Sequence, residues 1–312
     1  MKYKIALLCV GKNEENYLVE FIEHYMQLGI TTIFFGDNNA PQSDHQYESI
    51  KKYIDSGFVK YYNYQGVEDV QHKFYSDIYF KEIDNYDWFF VFDIDEILEL
   101  DSKYKNIDEF LYDEHFNGVD VIQIKWQYMM SINFPQYHYQ NKSYKELCPQ
   151  KILRKSNDTY TVGLKSIFKS SKNIERVSIH HPVFYKEYIP KVMLADSFKI
   201  IDSCNAMIFF NIKEEIYMNN TKLLHYHYKS LDEYIDKVMN GRADTPKEKN
   251  YYKIQSIDML SNWCNSIIIE ENGFNEDQIQ IINNKVYNYL KENFIKQYNL
   301  YGIPIQLHEM NS

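Results

Sequence analysis

Trp88-Phe89-Phe90-Val91-Phe92-Asp93-Ile94-Asp95-Glu96 is the stretch that decides the fold. Its apolar first part suits a strand buried on both faces, and it runs without a break into carboxylates. Acidic groups at the carboxyl end of a parallel strand lie where open α/β sheets bind their ligands. In extended chain, residues two apart project to the same side, so the spacing predicts the Asp93 and Asp95 carboxylates close together. Like charges so placed repel unless a cation is shared. A divalent ion such as Mn2+ or Mg2+, which takes oxygen ligands and bridges phosphates, is the natural partner. The plain alternative is an acidic strand end facing water, and Asp-x-Asp alone does not choose between the two.

Upstream, Ile5-Ala6-Leu7-Leu8-Cys9-Val10 is a second doubly buried run, closed by Gly11. Tyr17, Leu18, Phe21, Ile22, Tyr25 and Met26 then share one helical face that ends at Gly29. A strand over Thr32–Phe35 leads into the turn Gly36-Asp37-Asn38-Asn39, followed by a helix near 45–55, a strand at 58–62 and a helix near 68–84. Strand and helix alternating at this spacing predict an α/β domain with a mainly parallel, Rossmann-like sheet and flanking helices. Downstream, residues 119–126 alternate as a strand with Ile122, Ile124 and Trp126 on one face. Pro135, Pro149, Pro182 and Pro190 break the pattern from 127 to 200, predicting short strands and long loops. Ser230-Leu231-Asp232-Glu233 is a capping box opening a helix to about Asn240. Residues 251–269 and 276–298 read as two more amphipathic helices. With no repeat, low-complexity tract or Gly/Ser linker, the expected organisation is one domain over 1–245 and a helical extension over 246–312.

The 312 residues carry a net charge of −10, which disfavours a nucleic-acid-coating surface and leaves a small phosphorylated ligand open. Hydrophobic residues make up 45% of the chain, enough for a packed core rather than general disorder. The cysteines Cys9, Cys148, Cys204 and Cys264 are scattered and form no Cys-x-x-Cys pair, so neither a zinc site nor a disulfide framework is expected. The opening apolar run is short for a signal peptide and no stretch has the length of a membrane span, which predicts a cytoplasmic protein without a transmembrane segment.

Several segments, in matching order over roughly residues 3–245, resemble GT-A-fold glycosyltransferases of the family 2-like and family 92-like group. Asp93-Ile94-Asp95-Glu96-Ile97-Leu98 resembles the group's DxDE block, and Lys12-Asn13-Glu14-Glu15-Asn16-Tyr17-Leu18 its "(K/R)NE..YL" segment. His24 to Gly29 is similar to "H...LG", and Asp37-Asn38-Asn39 to "YDN.S", although Ala40 and Pro41 depart from the serine. Gln71 and the helix after it fit as well. Lys165-Ser166-Ile167 with His180-His181 resembles "KSI...H". His225-Tyr226-His227-Tyr228-Lys229-Ser230 and Gly241-Arg242-Ala243-Asp244 are similar to "HY..KS" and "GRAD".

The resemblance implies a metal-dependent transferase that takes a nucleotide-sugar, a UDP-hexose above all, and passes the sugar to a glycan or glycolipid acceptor, with surface polysaccharide as the context. It implies that Val10, Gly11, Asn13, Glu14 and Asp37 hold the base and ribose, with Gln71 beside them and Lys229 balancing the diphosphate. Asp95 and His225 would bind the metal directly, with His227 as the near alternative, and Asp93 would bind it through water or reach the ribose. The Lys165 and His180 stretches would line the acceptor side. In an inverting reaction a base takes the acceptor's proton, and Glu96, Asp196 and His180 are the candidates. The extension would pack on the core, mediate oligomerisation or approach a membrane-bound acceptor.

Each residue has a plainer reading. Asn13 suits an N-cap, Glu14 and Glu15 complement a helix dipole, Asp37 suits an ordinary turn, and Trp126 suits a core as well as a sugar face. Two rival functions share parts of the pattern. A haloacid-dehalogenase-type phosphohydrolase also places Asp-x-Asp after an apolar strand, but its later acidic pair is not evident. A non-catalytic carbohydrate-binding scaffold would keep the fold without needing an intact acidic pair.

Overall fold

The computed structural model describes residues 2–130, 143–148, 150–156, 159–211, 220–227, 229 and 267–269. The first part alternates strand and helix: β1 (Ile5–Gly11), α1 (Glu15–Leu28), β2 (Thr32–Asp37), α2 (His45–Asp55), β3 (Val59–Asn63), α3 (Val70–Glu82) and β4 (Trp88–Val91). Next come β5 (Glu96–Glu99), α4 (Ile107–Leu111), β6 (Val121–Met130), α5 (Tyr144–Leu147), β7 (Gln150–Ser156) and β8 (Thr159–Lys169). Short strands complete the described chain: β9 (Ile174–Val177), β10 (Pro182–Phe184), β11 (Val192–Leu194), β12 (Ile200–Ile201), β13 (Met207–Phe210), β14 (Lys222–His225) and β15 (Ile267–Ile269).

The parallel block has the order β3-β2-β1-β4. The continuous apolar runs are buried on both faces. Ile5, Leu7, Cys9, Trp88 and Phe90 enter one core layer, while Ala6, Leu8, Val10, Phe89 and Val91 enter the other. Tyr17, Phe21 and Tyr25 of α1 and Ile50 of α2 cover the first layer, and Phe74, Tyr75 and Ile78 of α3 cover the second. Each fully buried Leu, Ile or Phe contributes about 1.5–3 kcal/mol, so these two layers hold the sheet. α1 stops at Gly29, whose φ of 107° allows its N–H to reach the carbonyls of Tyr25 and Met26.

Two features place the site. From β1 the chain steps outward through β2 to β3 and then returns across β1 to β4, so the connection reverses between β1 and β4. That reversal, at the carboxyl ends, is where open α/β sheets receive ligands. On the other side of β4 the sheet turns antiparallel: β8 pairs with β4, and β6 pairs with β8. β14 then lies between β5 and β6, antiparallel to the first and parallel to the second. This brings a late segment of the chain beside the end of β4.

The structure revises some expectations. Asp93 to Glu96 is not extended: the Glu96 N–H bonds back to the Asp93 carbonyl at 3.0 Å, closing a turn over Ile94 and Asp95. Asn13 is not the N-cap of α1. Glu14 holds that position, and Asn13 precedes it with a φ of 58°, a left-handed conformation asparagine tolerates. The region 127–200 contains a long strand, the 11-residue β8, where short ones were expected. Ile267–Ile269, the end of the expected helix 251–269, is instead a strand pairing antiparallel with β7, consistent with the low helix and high strand preference of consecutive β-branched residues. The capping box at Ser230, the Gly241–Asp244 segment and the helix 276–298 lie outside the described residues.

Candidate functional site

Asp93 leaves the end of β4 and is held from two sides. Gln71 Nε2, from the first turn of α3, donates to Asp93 Oδ1 at 2.7 Å. Lys165 Nζ, from the middle of β8, donates to Asp93 Oδ2 at 2.8 Å and to the Ile179 carbonyl at 2.8 Å. The Lys165 side chain is wholly buried, whereas Asp93 keeps 33% of its side-chain surface exposed. Burial opposes the Asp93 charge, yet Lys165 outweighs it and holds the carboxyl below its ordinary range. Lys165 is raised in turn: burial works against the ammonium, and Asp93 and Glu96 more than offset it. Glu96 points inward, its Oε2 accepting from the Asp93 N–H at 2.8 Å and standing 3.7 Å from Lys165 Nζ. Burial pushes the Glu96 carboxyl well above its ordinary value, and none of its surface is exposed.

Asp95 faces a different set. β14 pairs with β5 so that His225 lies opposite Glu96, and the Tyr226 N–H donates to the Asp95 carbonyl at 2.8 Å. This register delivers His225 Nε2 to 3.5 Å from Asp95 Oδ1. His227 joins them, and one ligand atom from each of Asp95, His225 and His227 lies within 4.8 Å of the others. One carboxylate oxygen and two imidazoles could together hold a divalent ion. Asp93 is not in this group, while His227, expected as an alternative to His225, stands alongside it. Trp126 closes one side, its ring centroid 4.3 Å from His225 and 5.4 Å from His180. It can sit there because it lies over Gly163 of β8.

The loop after β1 contributes a third set. Glu14 and Lys229 form an ion pair, and Lys229 Nζ lies 4.2 Å from the centre of the Tyr17 ring. The Asn13 N–H donates to Asn39 Oδ1 at 2.6 Å, tying this loop to the turn after β2. Gly11 is adjacent to Asp37 in the sheet, and a Cβ on Gly11 would meet Gln46 and Phe35 at 2.8 Å. Asp37 is fully buried: Oδ1 accepts from Gln46 Nε2 at 2.6 Å and the Asn39 N–H at 2.9 Å, and Oδ2 from the Tyr61 hydroxyl at 2.7 Å. Val10 is buried below this loop.

The three candidate bases fall in different places. Glu96 is enclosed beneath Asp93. Asp196 pairs with Lys125 at 2.6 Å, and Lys125 sits between Ile124 and Trp126 on β6, hence on the opposite face of the sheet from Trp126. His180 lies beside Trp126 with Nδ1 2.9 Å from the Leu164 carbonyl. That carbonyl can only accept, so Nδ1 carries the proton and Nε2 is left as the basic atom. Burial, reinforced by Lys165, lowers the imidazole from 6.5 to about 4. Lys165, which the resemblance sets on the acceptor side, also answers Asp93 across 72 positions, a contact that no local pattern marks.

Three side chains that could hold a divalent ion, gathered at the switch point of a parallel block with a second carboxylate beside them, make this the candidate site of an α/β enzyme. The chain matches the profile of glycosyltransferase family 92 over residues 7–297 and belongs to that family. Its α/β fold is of the GT-A type expected from the sequence. The chain is 29% identical over 170 residues to the dephospho-CoA kinase of Borreliella burgdorferi, covering 51% of this chain and 73% of that one. It has no phosphate-cradling Gly-x-x-x-x-Gly-Lys-Ser/Thr loop, since Asn13 follows Gly11-Lys12 and Ala6 stands where the first glycine would be. Among solved structures it is similar to the mannosyltransferase PcManGT from Pyrobaculum calidifontis in complex with GDP-Man and Mn2+ (8% identity, TM-score 0.31, 40% of this chain and 36% of that one). It is also similar to S. aureus TarS 1-349 in complex with UDP-GlcNAc (18% identity, TM-score 0.33, 43% of this chain). The chain spans only 36% and 37% of the lengths of those two proteins. No helix among the described residues is long and apolar enough to cross a membrane.

Proposed function

We propose that this protein is a metal-dependent, inverting glycosyltransferase that moves a hexose from a nucleotide-sugar, a UDP-sugar in particular, to a glycan or glycolipid acceptor. The observation that carries this reading is the convergence of Asp95, His225 and His227 at the β4 end, beside an Asp93 held on separate partners. In this reading residues 1–245 form the transferase domain, and 246–312 an extension.

Asp95, His225 and His227 would hold Mn2+, which when bound supplies a Lewis acid for the departing diphosphate. Gln71 and Lys165 orient Asp93 toward the donor's ribose. Asp37, with its carboxylate taken up inside the protein, shapes the base-side loop rather than binding freely. Lys229 exchanges Glu14 for the donor's diphosphate. The acceptor hydroxyl attacks the anomeric carbon as the bond from that carbon to the diphosphate oxygen breaks. Its proton passes to His180 Nε2, which the donor's negative charge makes more basic than it is in the empty site. Glu96 supports Asp93, and Asp196 has a structural place.

The test is a thermal-shift panel of nucleotide-sugars with and without Mn2+, run on the wild type and on Asp95→Ala. Metal-dependent stabilisation by a nucleotide-sugar, present in the wild type and lost in a folded D95A, is expected. Absence of any metal-dependent stabilisation of the wild type would overturn the reading.

A further inference from the structure

We propose that Lys165 is a positioning residue that reserves Asp93 for the donor's ribose by keeping its carboxylate out of the metal's coordination. The inference rests on the transferase reading of the site. Two acidic residues separated by one position, both near a divalent ion, would ordinarily both be drawn to it. Here they are already divided. Asp93 Oδ2 is bonded to Lys165 at 2.8 Å and Oδ1 to Gln71 at 2.7 Å, whereas Asp95 faces His225 at 3.5 Å. The ammonium does not reach outward itself. It is wholly buried and spends its hydrogen bonds on Asp93 and the Ile179 carbonyl, with Glu96 next at 3.7 Å. Lys165 therefore touches a ligand only by way of Asp93, which keeps 33% of its side-chain surface exposed.

The arrangement also gives the acidic pair a standing counter-charge. With a turn over Ile94 and Asp95 in place of extended chain, Asp93 meets Lys165 and Gln71 while Asp95 faces His225. The nucleoside part of the donor then meets a carboxylate whose direction is set before any metal arrives.

The experiment measures Mn2+ affinity by calorimetry, and then binding of UDP and of 2′-deoxy-UDP with saturating Mn2+. The proteins are wild type, Lys165→Met and the double variant Lys165→Met/Asp93→Asn. In K165M the freed Asp93 carboxylate turns to the ion and a nearby positive charge is gone, so Mn2+ should bind more tightly by about tenfold. The same variant should bind UDP more weakly and lose its preference for UDP over the deoxy analogue. The double variant removes both charges of the buried pair, which such sites tolerate better than losing one. It should bind Mn2+ as the wild type does and show no ribose preference. A lesion of packing alone would instead weaken metal and nucleotide together. Weaker Mn2+ binding by K165M would overturn the inference. If K165M does not fold, the double variant decides, and a loss of more than tenfold in its Mn2+ affinity would make Asp93 a metal ligand and overturn it. Failure of the wild type to bind UDP with Mn2+ would overturn the transferase reading and this inference with it.

Discussion

Gly163 is the position where a single methyl group should be felt at the proposed metal site. A Cβ built there would lie 1.8 Å from Trp126 Cε3 and 2.1 Å from Cζ3. Carbon atoms pack at about 3.5–4.0 Å, so in Gly163→Ala the indole must retreat by roughly 1.5–2 Å. An indole is rigid, and His225 and His180 stand beside it with ring centroids at 4.3 and 5.4 Å. Overpacking of this kind costs about 1–3 kcal/mol, which at about 2–4 °C per kcal/mol lowers Tm by roughly 2–12 °C. The shift is passed to His225, so Mn2+ binding should weaken as well. Differential scanning calorimetry reads the first effect and Mn2+ titration the second, while the emission of Trp126, one of three tryptophans, reports the ring's movement. Trp126→Phe in the G163A background removes the two nearest ring atoms, Cε3 and Cζ3, and should restore part of the lost stability, a coupling that independent sites would not show. A G163A protein with unchanged Tm and Mn2+ affinity would refute the reasoning.

Other outcomes follow from the buried charges. His180 has a folded value near 4 against 6.5 for the free side chain, so below pH 6.5 the unfolded chain takes up a proton that the folded protein refuses. Stability tied to this group is therefore complete above 6.5, falls as pH drops toward 4, and levels off below; Tm against pH for His180→Gln should lack that component. Lys125→Met leaves Asp196 buried against a missing partner and should cost about 3–5 kcal/mol in a denaturant titration, whereas Lys125→Met/Asp196→Leu should cost far less. The double variant should keep Mn2+-dependent nucleotide binding, and loss of that binding in a folded protein would return Asp196 to the site.

The local parts of this architecture could be read from the chain, and the parts made by distant pairing could not. The buried runs at Ile5–Val10 and Trp88–Phe92 are doubly apolar because both faces of their strands are covered, so composition alone located them. Asp93 and Asp95 were legible for the same reason. Their division of labour was not, because it depends on a turn over Ile94 and Asp95 that an apolar residue between two acids does not announce. Lys165 looked like part of an acceptor-side motif, since nothing near it in the chain reveals that β8 lies against β4. Glu14 and Lys229 each stand out in the sequence, but their meeting spans 215 positions and follows only from the placement of the late segment. The sequence offers His227 as an alternative to His225, and the structure sets both against Asp95.

The sharing of the site between early and late strands also dictates when it can exist during synthesis. A chain emerging from the ribosome folds from its amino end, so β1 to β4 and then β8 are available well before β14. At that stage Asp93 already has Lys165, and the acidic pair does not wait uncompensated. The histidines arrive only with β14, after more than two thirds of the chain has been made. A nascent chain with its parallel block built and Asp93 paired with Lys165 would still lack β14, and with it a complete seat for an ion. On the proposed reading, metal loading would be a final act of maturation rather than a step on the way to the fold.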